Sequence, residues 1–101
     1  MAKKFVPPAQ VTSPRRHWTL VAVVLDGGEG NWAAAIGRWD GKPVLVIRWN
    51  GNDDNPIGNP QSRGLPTWFV VPDELRGSIL ETILRASPEK RPLVDHVFAD
   101  Q

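Results

Sequence analysis

The sequence predicts a single α+β domain: a four-stranded antiparallel sheet followed by one amphipathic helix packed on one of its faces, in the order β-β-β-β-α. Three observations carry this. Apolar segments of strand length recur between clusters of turn residues. An Asp-Gly dipeptide joins two of them as a tight hairpin. A run with apolar residues three and four apart follows the last.

The segment HWTLVAVVL (17–25) is almost continuously apolar, which suits a central strand. The turn cluster DGGEGN (26–31) ends it. In NWAAAIGRW (31–39) three alanines favour helix. Gly37, the two flanking tryptophans and the hairpin turn that follows favour strand, and strand is the reading adopted. Both positions of Asp40-Gly41 want positive φ, as a two-residue hairpin loop requires. PVLVIRW (43–49) is the third strand, NGNDDNPIGNPQSRG (50–64) a long polar loop, and TWFVV (67–71) the fourth strand.

Pro72 suits the first helical position, with Asp73 and Glu74 favouring the positive end of the helix dipole. Leu75, Ile79, Leu80, Ile83 and Leu84 form the apolar stripe, and Ser87-Pro88 should end the helix. Leu93, Val94, Val97 and Phe98 then form either further helical turns or an arm that docks on a partner. Residues 1–16 read as a flexible basic arm, broken by Pro7, Pro8 and Pro14, and residues 17–101 as the folded domain.

The chain has 12 basic and 11 acidic side chains, a net charge of +1. The arm holds Lys3, Lys4, Arg15 and Arg16 with no acid, whereas residues 65–101 hold four basic and six acidic groups. Any attraction for phosphates must then be local. There is no cysteine, which removes disulfides, thiolate metal sites and a Cys nucleophile and suits a reducing cytoplasm. No apolar run approaches the roughly 20 residues of a membrane span. The N-terminal stretch lacks the apolar core of a secretory signal.

A two-residue loop at Asp40-Gly41 fixes the hairpin register and sorts its side chains onto two faces. One carries Trp32, Ala34, Ile36 and Arg38 opposite Trp49, Ile47, Leu45 and Pro43. This bulky apolar face should receive the helix. The other carries Ala33, Ala35, Gly37 and Trp39 opposite Arg48, Val46, Val44 and Lys42. There, small side chains leave a clearing with Trp39, Lys42 and Arg48 around it. An aromatic platform ringed by cations suits single-stranded nucleic acid, whose bases stack while its phosphates pair with the cations.

The stretches WDGKPVLVIR (39–48) and RGLPTWFVVPDEL (63–75) resemble the transcriptional positive cofactor four family of single-stranded-DNA-binding coactivators. Trp39 falls on that family's stacking aromatic, Gly41-Lys42 on its Gly-Lys and Ile47-Arg48 on its Ile-Arg. Arg63-Gly64 falls on its basic-Gly pair, and Pro72-Asp73-Glu74 on its helix start. The resemblance spans residues 33–84. It implies a homodimer that binds single strands without sequence preference, with Trp39 stacking a base, Lys42, Arg48 and Arg63 on phosphates, and Arg38 joining from the hairpin rim. Asp40 stands where the family tends to be basic, Gly51 where a second stacking aromatic is expected, and Val71 at the usual Ser/Thr cap position.

Other motifs point elsewhere. Gly28-x-Gly30-x-x-Ala33 after an apolar strand fits a dinucleotide-binding turn, but too little chain follows for that fold, and a glycine-rich hairpin turn is the reading adopted. The loop 50–55 has oxygen ligands without the glycine and final glutamate of an EF-hand. His17 and His96 lack metal-site spacing. No serine has a nucleophile-elbow context and no paired carboxylates imply a pocket, so the expectation is a non-enzyme that needs no cofactor or metal. The rival expectation is a small protein-interaction or ligand-binding module whose tryptophans make the contacts, without nucleic acid.

Overall fold

The computed structural model describes residues 5–99. The strands are β1 (Trp18–Asp26), β2 (Trp32–Trp39), β3 (Lys42–Trp49), β4 (Gln61–Ser62), β5 (Leu65–Pro66) and β6 (Phe69–Val70), and the helices α1 (Asp73–Ala86) and α2 (Arg91–Phe98). The main sheet is antiparallel in the order β1-β2-β3-β6, and β4 and β5 form a separate small ribbon. No helix among the described residues is long and apolar enough to cross a membrane.

The hairpin has the expected register: Trp39 faces Lys42 and Trp32 faces Trp49, with Asp40 (φ 50°) and Gly41 (φ 84°) forming the loop. The first strand lies at an edge, not in the centre. Its register against β2 shifts between Leu20 and Ala22 and again between Val23 and Leu25. Each bulge inserts a residue, so Ala22, Val24 and Leu25 all meet the same core. The strand thus gives side chains to both faces of the sheet, Trp18 and Leu20 to one and Ala22, Val24 and Leu25 to the other, and reads as continuously apolar without being central, although Val21 is 43% exposed.

The core under the helices joins Val24, Ala34, Ile36, Leu45 and Val71 to Leu80, Ile83, Leu84, Val94 and Val97. Fully burying a side chain such as Ile83 contributes about 1.5–3 kcal/mol. The stripe of α1 is as expected except for Leu75, which lies in the first turn and is 52% exposed. Residues 91–98 are helical and add a second helix to this face.

The opposite face is not open. Val11, Trp18 and Trp68 pack with Ala33, Ala35, Val44 and Val46 in a second core. The small residues make room for this: a Cβ on Gly37 would lie 2.5 Å from the Trp18 ring. In place of a free arm, the segment from Val6 to Val11 lies on the sheet. The Val6 amide donates to Pro56 O (3.0 Å), Pro8 and Val11 are buried, and the Trp68 indole N–H donates to Val11 O (2.7 Å). Lys3 and Lys4 lie outside the described residues.

Candidate functional site

The five residues expected to bind nucleic acid do not form one site. Trp39 and Lys42 are cross-strand neighbours at the hairpin tip and line one shallow hollow with Val44, Val70, Pro72 and Asp73. His17 stacks on the Trp39 ring, with centroids 5.8 Å apart and planes 14° from parallel, and also pairs with Asp40 (2.8 Å). The Lys42 ammonium pairs with Asp73 (3.0 Å). The hydrogen bond from Lys42 and then its charge hold the Asp73 carboxyl below its ordinary range. Arg38 points to the opposite face beside Pro43 and donates to Gly41 O (3.5 Å). Arg63 sits in the exposed turn between β4 and β5, at φ 53°, and has no hydrogen bond or ion pair among the described residues.

Arg48 overturns the expectation most clearly. It lies six residues along β3 from Lys42, about 20 Å away at strand spacing, and is 3% exposed. Its guanidinium donates to the carbonyl oxygens of Ile57, Thr67 and Pro60 and lies 5.9 Å from the centre of the Trp68 ring. Burial pushes its pKa down from the usual arginine value. The clearing expected around it is filled by Trp68, and its two terminal nitrogens serve the loop, while its buried Nε has no partner among the described residues. Gly58 permits this grip: at φ 73° a Cβ there would lie 2.6 Å from an Arg48 nitrogen.

The clearest recess lies elsewhere, at the open end of the hairpin on the helix-bearing face. It has a volume of about 540 Å³ and is lined by Trp32, Ile47, Trp49, Asn59, Pro60 and Phe69, with part of Arg48. Ile47 pairs with Phe69 across β3 and β6, and Trp32 with Trp49 across β2 and β3. Trp49 is 56% exposed and Phe69 54%.

Two loops hold these walls. Trp49 and Asn59 exchange backbone hydrogen bonds (2.7 and 3.1 Å), which fold the long loop back beside β3. The buried Asn50 donates from its side chain to Asp26 Oδ1 (3.0 Å) and Gly28 O (2.9 Å), and from its backbone to Asn31 O (2.8 Å). It thereby ties the β1–β2 turn to the end of β3, between the two tryptophans.

Sequence reasoning placed Trp32, Ile47 and Trp49 on the face to be covered and did not separate them as a site. A geometric signal was available. Eight-residue strands make a face about 25 Å long, and one helix is about 10 Å wide. Comparison of the chain with protein-family models, curated proteins and solved structures finds no match.

Proposed function

We propose that this chain is a small binding module that takes an uncharged, largely apolar group of a partner in the Trp32–Trp49–Phe69 cleft and performs no chemistry on it. One observation carries the reading: the cleft exposes large aromatic surface, while its one cation, Arg48, spends its guanidinium on loop carbonyls. The volume lies within the range of roughly 300–1,000 Å³ typical of ligand sites. Exposed aromatics around a recess are characteristic anchors of recognition surfaces. With no cysteine to staple it, the proposed setting is the reducing cytoplasm.

A second reading, single-strand binding by a homodimer, is favoured by one observation: Trp39 and Lys42 line the same hollow, as the family resemblance requires. Against it stand the enclosure of Arg48 and the carboxylate of Asp73 beside Lys42.

The test compares two probes on the wild type, Trp49→Ala and Trp39→Ala, with folding checked by circular dichroism. The proposal expects an uncharged apolar dye such as Nile red to bind the wild type and to lose about tenfold in affinity in Trp49→Ala, a loss of about 1.4 kcal/mol. It expects no binding of oligothymidine. Tight oligothymidine binding that weakens steeply with salt and is lost in Trp39→Ala would overturn it in favour of nucleic acid.

A further inference from the structure

We infer that the outer edge of β1 pairs antiparallel with the same edge of a second copy of this chain, joining two four-stranded sheets into one. This goes beyond the cleft reading, since no residue of β1 lines the cleft or the Trp39 hollow. The contrast between the two edges of the sheet is the first argument. β6 is two residues long and stands between Pro66 and Pro72, so it offers an incoming strand almost no ladder. β1 runs for nine residues, against a usual length of roughly 5–6. It pairs with β2 on one side only, and no main-chain hydrogen bond from elsewhere among the described residues reaches residues 19–25. From Trp18 to Leu25 it carries no charge and no proline, two of the usual guards of an open edge, and Val21 is 43% exposed.

Charge is the second argument, and it selects the occupant. Arg15 and Arg16 are exposed in the turn that enters β1, and Asp26 and Glu29 are exposed where the chain leaves it. None of the four has an ion pair among the described residues. The strand is thus basic at one end, acidic at the other and apolar between. Antiparallel pairing about its middle, at Ala22, sets the basic end of each copy beside the acidic end of the other, so the complementary contact is made twice. Parallel pairing would set like charges together at both ends.

Shape is the third. The two bulges bend β1, and a flat foreign strand diverges from a bent edge. A second copy bends in the same way. A twofold axis perpendicular to the sheet keeps the same face of both copies on the same side, so the two curvatures agree. Such a contact uses one patch twice and closes at two copies. Once β1 is covered, the edge left on each copy is the short, proline-flanked β6, and the joined sheet has no long edge on which to grow.

The experiment is sedimentation equilibrium of the full chain, with the folding of each variant checked by circular dichroism. The wild type is expected to dimerise. Val21→Lys, which places a charge on the open edge, should weaken the dimer about tenfold or more. Arg15→Glu/Arg16→Glu and Glu29→Arg should each weaken it about tenfold, because each opposes like charges at both ends of the contact. A mixture of those two charge variants should dimerise about as tightly as the wild type, because each junction again joins opposite charges. That mixture decides the matter even if Val21→Lys fails to fold. A wild type that stays monomeric at every concentration would overturn the inference. So would a dimer indifferent to the charge variants, or one that Trp49→Ala dissociates, which would place the contact at the cleft. A series of ever larger species would overturn the closed pair in favour of open-ended association.

Discussion

The two faces of the sheet are closed by opposite means. Where the helices cover it, the first face is closed by aliphatic side chains from regular elements, at positions set by the helical repeat, and only its Trp49–Phe69 end stays open. The other is sealed by irregular chain: two tryptophans, the 6–11 segment and a loop strapped down by Arg48. Packing on the first face is nondirectional and spread over many contacts. Closure of the second depends on a few directional hydrogen bonds, so single substitutions there should have larger and more local effects.

The largest effect should come from Arg48→Met, which keeps much of the volume and removes every donor to the carbonyls of Ile57, Thr67 and Pro60. Leaving such buried acceptors unpaired should cost about 3 kcal/mol or more, measured by urea unfolding. A loss under 1 kcal/mol would place the burden of this face on packing instead. Trp68→Phe is gentler. It removes the donor to Val11 O and should cost about 1 kcal/mol. Faster hydrogen exchange should be confined to residues 5–12 and leave the α1 amides unchanged. Exchange that rises equally on both faces would show that they open together.

The smallest effect should come from Asp73→Asn at the helix start. The lowered carboxyl pKa means that its contribution is present above the ordinary carboxylate range and is lost as pH falls through the folded value. With both partners half-exposed, the stability difference between wild type and variant should be slight at neutral pH and vanish in acid. A difference that persists in acid would assign the effect to helix capping.

The same contrast separates what the sequence made legible from what it did not. The succession of strands along the chain, the Asp40-Gly41 turn, the hairpin register and most of the α1 stripe follow from local periodicity and turn chemistry and appear as expected, whereas the place of β1 at the sheet edge does not. Trp68 and Val11 meet across 57 positions of chain, and no periodicity links them. Arg48 reads as solvent-facing because arginine at a strand end usually is. Its burial depends on the path of the 57–67 loop, which turn residues announce without giving its course. Trp49 and Phe69 were visible as apolar strand residues, but that they would stay uncovered depends on where the helices lie.

Arg48 has a consequence for how this molecule can vary. A side chain that grips main-chain carbonyls is indifferent to the identities of the residues that present them, provided Gly58 stays small. Substitutions along much of the 57–67 loop can therefore accumulate without loosening its path. Asn59 and Pro60, which form one wall of the cleft, lie on that loop. The geometry of the recess is thus held apart from its chemistry, and selection can retune what the cleft accepts while the scaffold stays the same.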